Sequence, residues 1–343
     1  MKKRKLTTCK SCGAKIAKNA KVCPHCGAKN KKLIYKRVWL IILIIIFLFN
    51  IIELGSKKKD LKVGEVSSPN TQMSENKTEY KVGDILQDGD MKIVYVASGN
   101  YISDNQFLQP VEGNKYIFLK FAFENTGKTD NSISFYNFEC YADGYSTERY
   151  YDGNNDLSAT LSAGRSTEGY LYFEVPENAK NIEIEYTPNF FSSDKIKFIY
   201  EGEADSGYEL FKTNTTSEGA HKVGDVIEVD GLTIQYLACN EYKSSNQFIQ
   251  PRDGYHFVQI ELEFENTSSS DESISSFSFN CYADGITCNQ SFIDENDLSA
   301  TISPGRKTKG SVTFEVPNDA NIVEVEFNYD VWSSNKIVFS IEY

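Results

Sequence analysis

Apolar residues recur along much of the chain with a period of two. Val258, Ile260, Leu262 and Phe264 alternate with Gln259, Glu261 and Glu263. Val312, Phe314 and Val316 alternate with Ser311, Thr313 and Glu315, and Val323, Val325 and Phe327 with Glu324 and Glu326. Successive side chains on a strand point to opposite faces, so the pattern predicts antiparallel strands with one face buried and one wet. Clusters of Gly, Asn, Asp and Pro separate these runs and predict about six to eight strands in each stretch of about 120 residues. One segment departs from the alternation. Val38–Phe49 is unbroken apolar sequence, extended by Asn50–Leu54 to 17 residues, the low end of a bilayer-spanning helix. A buried helix of a soluble domain would show a polar face, and this run has none. It begins almost forty residues into the chain and no small-x-small cleavage pattern follows it, so a retained anchor over residues 36–54 is expected in place of a cleaved signal.

Residues 81–202 align with 222–343 at a constant offset of 141, without a gap, and are identical at 53 of 122 positions. Lys81-Val-Gly-Asp84 matches Lys222-Val-Gly-Asp225, and Gln106-Phe-Leu-Gln-Pro110 matches Gln247-Phe-Ile-Gln-Pro251. Phe123-Glu-Asn-Thr126, Cys140-Tyr-Ala-Asp-Gly144, Asp156-Leu-Ser-Ala-Thr160 and Phe173-Glu-Val-Pro176 recur in the same way. A period this long is a domain duplication, since solenoid units run to about 20–50 residues. Residues 55–80, rich in Lys, Ser, Asn, Glu and Thr, predict a flexible tether. Residues 203–221 predict an interdomain linker in which Tyr208–Phe211 can pack locally. Strand number and turn spacing predict an immunoglobulin-like β-sandwich for each repeat, without the Cys-Trp-Cys signature of antibody domains. The shared motifs resemble the telokin-like extracellular modules of bacterial lipoproteins and immunoprotective antigens, a family of unknown function. That resemblance implies the sandwich fold and an outer-surface setting, and attaches no activity. The expected fold class is all-β: two tandem immunoglobulin-like β-sandwiches, with a small N-terminal zinc ribbon and one transmembrane helix.

The ribbon is read from Cys9-Lys-Ser-Cys12-Gly and Cys23-Pro-His-Cys26-Gly. Two residues between thiolates let a tight turn aim both sulfurs at one ion, and two such turns make a closed four-thiolate shell of a structural Zn2+ site. Cys9, Cys12, Cys23 and Cys26 are the expected ligands, with His25 outside the shell. A closed shell leaves no open position for catalysis. Residues 7–30 resemble the short zinc ribbons found at bacterial protein N-termini.

Charge gives these parts a direction. The chain carries a net −12, yet residues 1–59 hold 16 Lys and Arg against a single acid, while the remainder holds 20 against 47. Thirteen of the basic residues precede the apolar run, which favours an inside N-terminus, although Lys57, Lys58, Lys59 and Lys62 follow it. Zinc thiolates also persist best in a reducing compartment. The expected placement is therefore a single-pass plasma-membrane protein, with the ribbon cytosolic and the C-terminal domains extracellular. The ribbon's lysines are read as a positive-inside flank, the alternative being contact with anionic lipid or nucleic acid. The acidic body disfavours a nucleic-acid partner for the extracellular part.

Candidate chemistry in the body is sparse. Its two histidines, His221 and His256, lie in no nucleophile–base pattern, and neither a Gly-x-Ser-x-Gly nor a phosphate loop is present, so no enzymatic function is expected. The turns Asp152–Asp156 and Asp294–Asp297 lack calcium-loop spacing and read as solvated turns, with calcium the alternative. Cys140 and Cys281 match between repeats and read as core residues. Cys239 and Cys288 occur only in repeat 2 and suggest a disulfide, with Cys281 as the competing partner. The repeats differ most on the polar strand positions. Phe118, Ala122, Tyr170 and Tyr172 replace Gln259, Glu263, Ser311 and Thr313, with Tyr150 and Tyr151 nearby in sequence. Exposed aromatic patches mark contact surfaces, so Phe118, Tyr150, Tyr151, Tyr170 and Tyr172 predict a binding face for a protein, peptide or wall glycan. The alternatives are cross-strand tyrosine packing, or a face covered by the linker or by repeat 2. The expected function is binding or sensing at the outer surface, and the runner-up is an envelope structural or adhesin-like protein with a passive ribbon.

Overall fold

The computed structural model describes residues 6–9, 12–17, 23–26, 62–65, 78–151, 157–188, 195–213, 215–293, 296–330 and 335–342. The transmembrane helix expected over 36–54 lies outside the described residues, among which no helix is long and apolar enough to cross a membrane. The chain divides into two units, Met1–Asp60 and Leu61–Tyr343.

In the first unit β1 (Leu6–Thr8) and β2 (Lys15–Ala17) form an antiparallel hairpin. Ile16 is buried against Cys9 and Cys23, which is all the core this unit shows among the described residues.

The second unit holds both repeats. Repeat 1 begins with β3 (Lys62–Glu65), β4 (Glu79–Tyr80), β5 (Asp84–Asp88), β6 (Met91–Tyr101), β7 (Asn114–Asn125) and β8 (Asn131–Ser134). It continues with β9 (Phe138–Ala142), β10 (Tyr145–Ser146), β11 (Glu148–Tyr150), β12 (Ser158–Leu161), β13 (Ser166–Pro176), β14 (Ile182–Tyr186) and β15 (Ile196–Ile199). One sheet runs β3-β5-β6-β7-β13 and the other β10-β9-β14-β15-β4. Between them lies a core in which Tyr95, Phe121, Phe123, Phe138 and Phe198 are fully buried and in ring contact. The short β16 (Ala204–Asp205) pairs with β6.

Repeat 2 contains β17 (Val226–Val229), β18 (Leu232–Tyr242), β19 (Tyr255–Asn266), β20 (Glu272–Ile274), β21 (Phe279–Ala283) and β22 (Ile286–Ser291). Then come β23 (Ala300–Ile302), β24 (Lys307–Pro317), β25 (Val323–Asn328) and β26 (Lys336–Ile341). The β17-β18-β19-β24 sheet faces β21-β25-β26, and β22 pairs with both β24 and β21. The core is built from the alternating residues read in the sequence, including Val258, Ile260, Leu262, Phe264, Phe314, Val325 and Phe327. The two sandwiches match the predicted all-β architecture.

The repeated motifs have structural jobs. In Glu-Asn-Thr, the buried Asn125 amide donates to Thr129 O at 2.7 Å and Leu161 O at 2.8 Å, and Asn266 does the same to Ser270 and Ile302 at 2.7 Å each. A buried polar group that binds two loop carbonyls locks the strand end to its neighbours. In Tyr-Ala-Asp-Gly, Asp143 and Gly144 have φ of 49° and 85°, the two-residue hairpin geometry that favours Asp-Gly.

The described parts of the expected tether and linker pack against repeat 1. Lys62–Glu65 of the expected 55–80 tether pairs with β5, and Tyr80 is a core residue. In the 203–221 linker, Tyr208 and Leu210 pack on Val94, Val96, Ala97 and Ala122, which form a small cluster on the outer side of the β6–β7 sheet. Ala122, counted in the sequence among the outward apolar positions, is buried under that cover.

Candidate functional site

Two sites stand out, one in each unit. In the ribbon, the Cys9 N–H donates to Ala14 O at 2.8 Å and Gly13 N–H to Cys9 O at 2.9 Å, closing the first knuckle with Gly13 at φ 72°. The sulfurs of Cys9 and Cys26 are 3.7 Å apart, those of Cys12 and Cys23 3.8 Å, and all four lie within 4.8 Å of one another. A tetrahedron with Zn–S bonds of about 2.3 Å has edges of about 3.8 Å, so the spacing fits Zn2+. His25 is exposed and outside this group. The four cysteines are the only cluster of three or more potential ligands among the described residues. Geometry and donor chemistry fit zinc.

The second site lies on repeat 1. Strand register places Tyr172 opposite Phe118 on β7 and opposite Tyr150 on β11. The five rings read in the sequence therefore gather around one cleft of about 670 Å³, together with Tyr101, Leu108 and the Ile102–Asn105 segment. Tyr172 is buried and forms the floor, its ring 4.6 Å from Tyr101, 5.9 Å from Tyr170 and 6.1 Å from Tyr150. Phe118 and Tyr170 meet edge-to-face at 5.7 Å, and Lys120 lies 5.8 Å over Tyr170. Tyr150 stacks on Tyr116 at 4.3 Å, and its hydroxyl is 2.6 Å from Ser103 Oγ. Burial, followed by the charge of Glu174, raises the Tyr116 pKa. Tyr151 is exposed and braced edge-on by Phe135 at 5.1 Å. The equivalent cleft of repeat 2 keeps one ring, Tyr242, with Ile249 and Ile293, and is otherwise lined mainly by polar residues such as Ser244, Asn246, Gln259, Glu261, Lys309 and Ser311, so the cluster of rings belongs to repeat 1.

The sequence reading missed the rim. Phe107 is 84% exposed in the Gln-Phe-Leu-Gln-Pro loop, and Ile102 and Val111 stand exposed beside it. The loop is held by its own polar groups: Asn105 Oδ1 accepts from Phe107 N–H at 3.0 Å, and Gln109 Nε2 donates to Ser103 O and Asn105 O at 3.1 and 2.8 Å. Repeat 2 builds the same loop around Asn246 and Gln250, with Phe248 86% exposed. The available signal was a Phe repeated in a segment that has no strand periodicity.

The remaining candidates fall elsewhere. Cys239 on β18 and Cys288 on β22 are both thiols here and pack against the same core, and Cys288 stands opposite Cys281 in the β21–β22 ladder. Burial raises the thiol of Cys281 well above its ordinary range, with Cys288 adding to the shift. Asp297 accepts from Ser276 Oγ at 3.1 Å and Ser299 Oγ at 3.0 Å, which ties its turn together. The acidic turn at residues 152–156 lies outside the described residues. His256 Nδ1 is 2.9 Å from Asn318 Oδ1.

The profile of the zinc-ribbon domain matches residues 8–30, and that of Domain of unknown function (DUF4352) matches residues 80–196 and 221–337. Comparison with curated proteins gives no match. Among solved structures, the putative lipoprotein YcdA of Bacillus subtilis subsp. subtilis str. 168 is 18% identical over 34% of this chain and 38% of its own, with a TM-score of 0.30. The YjhA protein of Bacillus subtilis is 14% identical over 36% of this chain and 99% of its own, TM-score 0.29. A β-sandwich protein of Clostridium difficile 630 is 15% identical over 38% of this chain and 100% of its own, TM-score 0.26.

Proposed function

Because this chain belongs to the DUF4352 family, through two tandem copies behind a zinc ribbon, we propose that it is a non-enzymatic, membrane-anchored surface protein whose first sandwich binds an extracellular partner. The aromatic cleft of repeat 1 is the binding face, and its partner is a protein, a peptide or a wall glycan. The observation that carries this reading is the asymmetry between otherwise matching domains: one cleft is walled by Phe118, Tyr150, Tyr151, Tyr170 and Tyr172, while its counterpart has a single ring, Tyr242, among mostly polar side chains. Tyrosine rings offer large contact area at low entropic cost and a hydroxyl for polar contact, the combination found at recognition sites. Ile102 lines the same cleft, and the exposed Phe107 extends that surface beyond it.

Membrane anchoring rests on the apolar run of 17 residues, and orientation on the basic residues before it and the thiolate set of the ribbon. Bound Zn2+ supplies folding energy to a unit with little core, and the closed ligand set gives it no reactive position.

Full-length protein in detergent, incubated with purified insoluble wall glycan and separately with a peptide library, tests the reading. Phe107→Ser combined with Tyr170→Ser should lower capture at least about tenfold, while Phe248→Ser in repeat 2 leaves it unchanged. Equal capture by the parent and the Phe107/Tyr170 variant would make the face structural.

A further inference from the structure

The contact between the two repeats joins unlike surfaces. A turn of repeat 1 docks on a sheet face of repeat 2. Arg165 places its guanidinium between Glu324, at 2.7 Å, and Glu326, at 3.0 Å, and over the Tyr282 ring, 4.5 Å from its centroid. Tyr282 Oη donates to Thr160 O at 3.1 Å, and Lys336 Nζ reaches Asp130 at 2.9 Å. The Ser166 N–H donates to Gly285 O at 3.1 Å, where β13 meets β22.

Each repeat carries both surfaces. Subtracting or adding the offset of 141 returns the same residue for every side chain of the ionic contact: Ser303 and Arg306 repeat the docking turn, and Tyr141, Glu183, Glu185 and Lys195 repeat the receiving face. The repeats as a whole are identical at only 53 of 122 positions, so retention of these ionic side chains is selective, whereas Ser166, Ile286 and Thr287 of the same contact correspond to Lys307, Tyr145 and Ser146. The second set has no such engagement among the described residues. Arg306 is exposed and has no ion pair among the described residues. The Glu183 and Glu185 side chains are 25% and 24% exposed, against 1% and 5% for Glu324 and Glu326. Tyr145, on the edge strand beside this face, is 80% exposed.

We propose that the molecules associate head to tail, the Arg306 turn of one molecule docking on the Tyr141–Glu183–Glu185 face of a second copy. The contact between chains repeats the contact within each chain. It is heterologous, so each docking leaves one new turn and one new face, and the product is an open row of molecules. Two differences make it weaker than the internal contact. Lys197 sits 2.8 Å from Glu183, where repeat 2 has Val338, so the incoming guanidinium must displace an existing partner. The internal contact is also tethered and reinforced by the linker, whose Ser217 N–H donates to Glu324 at 2.6 Å. Association is therefore concentration-dependent and strengthened by any confinement that raises the effective concentration.

The test uses full-length protein carrying Tyr145→p-benzoylphenylalanine, with isotopically heavy and light chains mixed before irradiation. Heavy–light cross-linked peptides should join position 145 of one chain to the 301–308 segment of the other. Arg306→Glu should reduce them at least about tenfold, and Lys197→Val, which restores the repeat 2 residue, should increase their yield. Combining Arg306→Glu with Glu183→Arg and Glu185→Arg should recover them. The proposal is overturned if no heavy–light cross-link forms up to the solubility limit, if the links join 145 to 145, or if they persist unchanged in Arg306→Glu.

Discussion

Arg165→Ala is the substitution whose effect follows most directly from the structure. Glu324 and Glu326 are 0% and 4% exposed, and the guanidinium is the cation that compensates them together with Lys336, which lies 3.2 Å from Glu326. Burial acts to lower the Arg165 pKa, but the carboxylates of Glu326 and Glu324 outweigh it and the net shift is upward. Removing one member of a buried charge set strands the others, at a cost of about 3–5 kcal/mol, where an exposed ion pair is worth about 1 kcal/mol or less. Both glutamates lie on β25, in the middle of its sheet, so repeat 2 bears the loss. With a urea slope of about 2 kcal/mol/M for a domain of this size, its unfolding midpoint should fall by about 1.5–2.5 M. Equilibrium urea unfolding of the full-length protein, followed by circular dichroism, measures the shift. Adding Glu324→Gln and Glu326→Gln to Arg165→Ala should recover much of the stability, because the stranded charges are gone, and the three changes should be strongly non-additive. A loss of about 0.5 kcal/mol or less in Arg165→Ala would refute the reasoning, since it would mean the carboxylates are hydrated and the repeats are not held by this contact.

Three further outcomes are expected. A Cβ on Gly169 would come 2.8 Å from Leu157 Cα, and one on Gly310 2.8 Å from Asn296 O, so alanine at either site should cost about 1–3 kcal/mol in the same unfolding assay. Burial pushes the Cys140 thiol up to about 12, so native protein treated with a thiol-alkylating reagent at pH 8 should leave Cys140 unmodified; because the folded state holds this proton more tightly, its stabilising contribution is complete below the unfolded thiol pKa, about 8.5, and is lost as pH rises from there towards 12. Cys12→Ser should abolish retention of one zinc per chain and unfold the ribbon, read by metal analysis and by proteolysis within residues 7–30, while the urea transition of the sandwiches stays in place.

Much of the architecture was legible because the signals are local. Alternation of Val258, Ile260, Leu262 and Phe264 marks a strand with one buried face whatever it packs against, and all four are core residues. Cys-x-x-Cys spacing likewise encodes its own turn geometry. The candidate face was legible in part. Differences between repeats identified Phe118, Tyr150, Tyr151, Tyr170 and Tyr172, and strand register brings them to one cleft. Ala122 shows where the method ends, since its burial depends on a linker some ninety residues away that folds back as Tyr208 and Leu210. Phe107 was missed because an exposed apolar side chain in a loop leaves no periodic trace, and its position is set by Asn105 and Gln109.

What the sequence by itself determined is the set of modules and their internal order: a four-thiolate ribbon, an apolar run, and two copies of one strand pattern, because hydrophobic period and ligand spacing act over a few residues. Only the tertiary structure decided how the copies meet. Nothing in the local pattern of Glu324, Glu326 or Arg165 distinguishes them from Glu183, Glu185 or Arg306, and in isolation all six read as solvated polar positions. Three become a buried ionic lock and three remain at the surface, because burial is a property of what lies opposite a residue, and a duplicated chain has one junction for two sets of contacts.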